Sequence, residues 1–176
     1  MGALVKTETA GQTEGQEQQQ YLTFMLGGEV FAIGILAIKE IIEYGQLTEV
    51  PRMPASIRGV INLRGAVVPV IDLSARFGKL PTMVGRRTCI VIIEVRSEAD
   101  GEEVQQVVGV MVDAVNEVLD IPGSEIEPAP NFGAKIRADF IKGMGKVEGK
   151  FVIILNADRV LSVDEMAELA SASVSA

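Results

Sequence analysis

The chain has no histidine, no tryptophan and a single cysteine, Cys89, among 176 residues. These absences remove whole classes of chemistry. Without histidine there is no imidazole general base, no Ser-His or Cys-His nucleophile pair, and no side chain whose ordinary pKa lies near neutrality. One cysteine forbids an intrachain disulfide, and with no histidine beside it a zinc cluster is excluded as well. Cations are outnumbered: 16 Lys and Arg stand against 24 Asp and Glu, a net charge of −8. A nucleic-acid binder has to neutralise several phosphates, so nucleic acid is a poor partner for this chain. Aromatic residues, at 5%, are too few for the stacking platform that a single-strand binder of the small-barrel type needs. No apolar run approaches the roughly 20 residues of a membrane-spanning helix. The N-terminus also lacks the apolar core of a secretion signal, and with the lone thiol this reads as a cytoplasmic chain without direct membrane insertion.

What is present is a large stock of aliphatic side chains. Hydrophobic residues make up 48% of the sequence, enough to build a core at this length without covalent staples. Residues 7–20 contain no apolar side chain other than Ala10, so 1–19 is expected to be a solvated tail. From Tyr21 onward, short runs rich in Val and Ile alternate with Gly, Pro or acidic turns, the pattern of many short strands. Expected strands fall at 21–26, 30–33, 38–44, 60–63 and 67–71, and again at 88–95, 107–112, 115–121, 141–147 and 151–155.

The two sets are copies. Residues 57–72 lie over 141–156 without a gap at an offset of 84, each copy keeping Ile, a cation, Gly, and a second Gly six positions later. Upstream, 31–33 and 38–42 lie over 108–110 and 115–119 at an offset of 77. A unit of about five short strands is too small for a stable open sheet, so each copy is expected to curl into a barrel. The expected fold is all-β, with two intertwined five-stranded barrels of roughly 30–85 and 86–155. The strand 20–27 and a helix at 156–161 close them, and a last helix covers 162–171. Gly65 and Gly149 occupy equivalent hairpin tips where a positive φ is needed. Asp72 and Asn156 suit the N-caps of short helices at 73–77 and 157–161.

The repeat supplies an internal control on function. The tip of one hairpin, Asn62-Leu63-Arg64-Gly65, carries a cation where the other carries Glu148. The fold therefore does not demand Arg64, and a partner explains it better than stability does. In 38–42, Ile38 is expected at a barrel seam, Glu40 facing water, and Ile41 and Ile42 in the core. Phe132, after the stiff segment Pro128-Ala129-Pro130, reads as pinned to the core or shown to a partner, the core being the simpler reading. Gly143-Met144-Gly145-Lys146 lacks the spacing of a phosphate loop, and its repeat partner 59–62 marks it as strand. Cys89, within an apolar strand, reads as an inert thiol. No catalytic constellation is present, and neither a metal nor a cofactor is implied.

Asn62-Leu63-Arg64-Gly65 with Val67-Val68-Pro69-Val70-Ile71-Asp72-Leu73, the stretch 108–119, Pro128-Ala129-Pro130-x-Phe132, and Ile141-x-Gly143-Met144-Gly145 closely resemble the CheW family of chemotaxis coupling proteins. The resemblance runs in order from Gln20 to Leu169. It implies two five-stranded SH3-like barrels and a non-enzymatic adaptor bridging the cytoplasmic tip of chemoreceptors and the regulatory domain of the histidine kinase CheA. Such an adaptor is a monomer in isolation and is recruited into receptor–kinase arrays at the membrane. Carried over by position, Ile38, Glu40, Gly59 and Arg64 face the receptor, with Asn62 and Leu63 shaping the hairpin. Leu47, Val50 and Arg58 meet the kinase through the first barrel, and Phe132 is a second kinase contact, against the simpler reading of its residues. An apolar groove between the barrels would take the receptor helices. The alternative is a CheW-like regulatory module of another two-component system that does not control motility. The acidic segment 96–103 is longer than the family pattern needs.

Overall fold

The computed structural model describes residues 18–45, 47–99, 101–128 and 138–162. Each expected strand forms, with longer ends in the central hairpin. The strands are β1 (Gln18–Leu26), β2 (Glu29–Gly34), β3 (Ile38–Glu43), β4 (Ile57–Leu63), β5 (Ala66–Asp72), β6 (Cys89–Ala99), β7 (Glu102–Val112), β8 (Ala114–Pro122), β9 (Ile126–Glu127), β10 (Ile141–Val147) and β11 (Lys150–Leu155). Two short helices, α1 (Leu73–Arg76) and α2 (Ala157–Val160), follow the repeated hairpins at the expected places. The last helix expected from the sequence lies almost wholly outside the described residues, as does most of the N-terminal tail.

The strands form two sheets, a five-stranded one in the order β3-β6-β7-β5-β4 and a six-stranded one in the order β9-β10-β11-β2-β1-β8. This divides the chain differently from the halves drawn at 30–85 and 86–155. The middle of the chain, from β3 to β7, makes the first barrel, and the N-terminal hairpin β1–β2 joins β8–β11 in the second. The repeat is nonetheless complete. β5 runs parallel to β7 with Val70 opposite Gly109, and β11 runs parallel to β2 with Ile154 opposite Ala32, pairs that correspond at the two offsets found in the sequence. Both copies also shift register at the same point, between Ile57 and Gly59 and between Ile141 and Gly143.

Those glycines explain the shift. A Cβ on Gly59 would sit 2.7 Å from the carbonyl oxygen of Thr48, and one on Gly143 would sit 2.7 Å from Ile126 Cγ2. In each barrel the segment before the hairpin crosses directly over the glycine, and Thr48 pairs with Val60 there. Backbone atoms cannot move aside as a flexible side chain does. Gly59→Ala is therefore expected to destabilise the protein by about 1–3 kcal/mol, read as a lower midpoint in thermal unfolding.

Burial follows the two-sheet arrangement. Leu22, Phe24 and Phe31 from the second sheet meet Ile71, Val91, Ile93, Val108 and Val110 from the first in one shared core. The opposite faces fill each barrel: Val70, Ile90, Ile92 and Met111 in the first, Tyr21, Ala32, Ile121 and Ile154 in the second. The first part of β6, Ile90 to Ile93, is buried on both faces, which is why it is a continuous apolar run and not an alternation. Phe24, Phe31, Phe77 and Phe140 form a chain of rings with centroids 5.5 to 6.3 Å apart, and the Arg76 guanidinium lies 4.6 Å from the Phe140 centroid. The ring chain fastens the end of α1 to the second barrel.

The two helix starts differ. Asp72 caps α1 through the backbone N–H groups of Ser74 and Ala75, as expected. Asn156 occupies the equivalent place at α2, but its side chain makes no cap bond. The buried Asp72 carboxylate also accepts from Arg58 Nη1 at 2.8 Å, from Thr82 N at 2.8 Å and from Thr82 Oγ1 at 2.8 Å.

Candidate partner-binding site

The tip joining β4 to β5 is a two-residue turn in which both central residues have positive φ, Arg64 at 53° and Gly65 at 90°. Such a turn matches the right-handed twist of the strands it joins. Asn62 braces it by accepting from the Gly65 N–H at 2.8 Å through Oδ1. Glu148 and Gly149, at 52° and 80°, repeat the geometry in the second barrel. The backbone is thus indifferent to the sign of the charge it carries.

Arg64 holds Glu40 through a two-pronged ion pair, Nη2 to Oε1 at 3.0 Å and Nη1 to Oε2. Glu40 lies on β3 and Arg64 beyond the end of β4, the two edges of the first sheet, so the pair spans the seam where the barrel closes. The Arg64 side chain is 72% exposed. Its hydrogen bond and charge hold the Glu40 carboxyl below the usual carboxylate range, and the arginine is raised in turn. A depressed carboxyl keeps its pair above its ordinary pKa and loses it only as pH falls through the lowered value, so the pair is intact throughout the neutral range. In the second barrel Glu117 and Glu148 stand at the corresponding positions, where two like charges make no such pair.

The structure brings together Glu40, Asn62 and Arg64, and it assigns different work to the others. Ile38 is half-buried against the shared core, and Leu63 and Leu47 are half-buried on the core of the first barrel. Gly59 is buried beneath Thr48 and presents no side chain to the surface. Arg58 gives Nη1 to Asp72 and to the carbonyl of Thr82, anchoring it half-buried in the barrel. Val50 is exposed. Phe132 lies outside the described residues. Ile41, expected in the core, is 43% exposed because the register shift in β3 turns it outward, while Ile42 packs inward as expected. Sequence reasoning also passed over Val67, 73% exposed beside the tip and opposite Asn62 in the hairpin. The repeat carries an apolar residue at the same place, Phe151, and it too is exposed.

The groove between the sheets is less apolar than expected. Its volume is about 700 Å³; Ile33, Ile35, Leu36 and Leu155 line it, but so do Glu94, Arg96, Lys142 and Asp158. Asp158 accepts from the backbone N–H of Arg96 across it at 2.9 Å. One wall ends at Ala37, where β3 begins. Cys89 is partly buried, and burial together with the Glu43 charge pushes its thiol up, away from reactive thiolate. Among the described residues no group of three His, Cys, Asp or Glu side chains is placed to hold a metal ion. The 96–103 segment is the end of the β6–β7 hairpin, in regular register to Ala99 opposite Glu102.

A pair of small barrels with an exposed, ion-paired tip on one of them is a binding module of the scaffold kind. The CheW-like domain model matches residues 20–165, and the chain belongs to that family of adaptor proteins. It is 34% identical to the chemotaxis protein CheW of Klebsiella aerogenes over 94% of this chain and 93% of that one. It is also 36% identical to the chemotaxis protein CheW of Bacillus subtilis over 81% and 86% respectively. The crystal structure of the scaffolding protein TtCheW from Thermoanaerobacter tengcongensis shares the fold, with a TM-score of 0.70 and 33% identity over 81% of this chain and 87% of that one. No helix among the described residues is long and apolar enough to cross a membrane.

Proposed function

We propose that this chain is a chemotaxis coupling adaptor, joining the histidine kinase CheA to the cytoplasmic tip of chemoreceptors and placing the kinase under receptor control. The observation that carries the reading is the exposed Arg64–Glu40 pair with Val67 beside it, a feature of one barrel that the duplicated backbone does without in the other. The receptor tip, a helical hairpin, meets this end of the first barrel, with Val67 and Ile41 giving apolar contact and Arg64 fixing register against a receptor carboxylate. The kinase regulatory domain meets the face around Leu47, Val50 and Arg58, and Phe132 makes the second kinase contact that closes larger arrays. The adaptor itself carries out no reaction.

The test is a titration of the purified chain into the kinase and a receptor signalling fragment, following kinase autophosphorylation. Stimulation that requires all three components supports the coupling role. Stimulation without the receptor fragment, or none with it, overturns it.

A further inference from the structure

Beyond α1 the chain runs through a loop, residues 79–88, that leads into β6. Its main chain is held at three points. Thr82 is bound to Asp72 through N and Oγ1 and accepts from Arg58 through its carbonyl at 3.0 Å. Ser74 Oγ donates to the Leu80 carbonyl at 2.7 Å, and the Gly85 N–H donates to Thr88 Oγ1 at 2.7 Å. With the backbone fixed this firmly, the direction of the side chains is informative. Thr82 is buried, while Leu80 is 84% exposed, Met83 87% exposed, and Val84 exposed beside them.

The stretch of sequence carrying these three apolar residues differs in charge from the rest of the chain, with Asp113 the acid that shares a small pocket with Met83. Between Leu73 and Ile93 there are four cations, Arg76, Lys79, Arg86 and Arg87, and no acid. The segment therefore carries +4, and the remainder carries −12 within the net of −8. Lys79, Arg86 and Arg87 are exposed, and none is in an ion pair among the described residues. The loop leaves β5 at the end opposite the Arg64 tip, and a strand of seven residues spans roughly 20 Å.

We propose that this loop is a docking surface, separate from the Arg64 tip, for an acidic segment with an apolar edge on a partner protein. Leu80, Met83 and Val84 take the apolar edge, and Lys79, Arg86 and Arg87 pair with the flanking carboxylates. The three backbone anchors hold the side chains in place before the partner arrives, which lowers the ordering cost of binding. A narrow segment suits the charge distribution. It touches the loop alone, whereas a planar anionic bilayer brings the remaining −12 against like charge.

The probe is a fluorescent amphipathic peptide of roughly 18 residues, leucine on one helical face and glutamate on the other, measured by anisotropy against the full chain. Saturable binding that weakens at least tenfold in Leu80→Ser/Met83→Ser and in Arg86→Glu/Arg87→Glu is the expected result. Both double variants leave Asp72, Thr82 and Arg58 untouched, and an unchanged thermal midpoint checks that they fold. The proposal is overturned by an absence of binding, by equal binding to the variants, or by equal binding of a peptide with lysine in place of glutamate. It is likewise overturned if phosphatidylglycerol vesicles bind through these residues and the acidic peptide does not.

Discussion

Arg64→Glu is expected to abolish receptor-dependent stimulation of the kinase, with at least a tenfold loss of affinity for the receptor fragment, while the protein stays folded and still binds the kinase. The second barrel is the reason to expect folding to survive. It already holds a glutamate at the equivalent tip and another on the equivalent edge strand, in the same positive-φ turn. Arg64→Glu builds in the first barrel a combination of charges that the fold accepts in the second. The pair it removes is solvent-exposed, and such pairs contribute little to stability, so the thermal midpoint should move by no more than about 4 °C. A charge swap separates the two roles that the pair can have. If Arg64 meets the receptor directly, Arg64→Glu combined with Glu40→Arg restores the ion pair but not the stimulation. Recovery of stimulation by the swap would show instead that the pair acts only by shaping the hairpin. Loss of kinase binding together with receptor binding would mark the tip as structural and defeat the argument from the repeat.

The largest effect on stability is expected from Asp72→Ala. Its carboxylate, fully buried, serves five donors: Arg58 Nη1, the Thr82 N–H and hydroxyl, and the N–H groups of Ser74 and Ala75. Alanine leaves the buried Thr82 donors and the half-buried Ser74 N–H without this acceptor and removes the counter-charge from Arg58. Losing one partner of a buried ion pair costs about 3–5 kcal/mol, which lowers the midpoint of a chain this size by roughly 6–20 °C. Asn156→Ala, at the equivalent place in the second barrel, should shift it far less, because that side chain caps nothing. Equal losses at the two positions in parallel thermal melts would show that the Asp72 network contributes no more than an ordinary helix start.

Much of this architecture was legible in the sequence because it is local. The hairpins at 57–72 and 141–156 declare themselves through turn glycines and through duplication, and Asp72 before Leu73-Ser74 marks a helix start. Membership of the sheets was not legible in the same way. β2 pairs in parallel with β11, and β5 with β7, and no short-range pattern in either strand names its partner. That is why halves drawn along the sequence placed β2 and the β6–β7 hairpin in the wrong barrels. At the site, Arg64 stood out through the contrast with Glu148, and Glu40 only through the family resemblance. Their direct pairing depends on barrel closure, which brings opposite sheet edges together. Ile41 was misplaced because a register shift of one residue reverses the facing of a strand, and nothing in Ile38-Lys39-Glu40-Ile41-Ile42 announces one.

The interleaving of the two barrels also bears on how the chain is made. The β1–β2 hairpin leaves the ribosome well before its parallel neighbour, β11, with Phe31 opposite Ile153. Throughout synthesis of the intervening chain one edge of that hairpin waits unpaired, with Phe24 and Phe31 still to be covered. The first barrel, built from β3 to β7, closes over a shorter stretch of chain. Vectorial folding should therefore complete the barrel of β3 to β7 before β11 joins β2, and until then the β1–β2 hairpin keeps apolar surface uncovered.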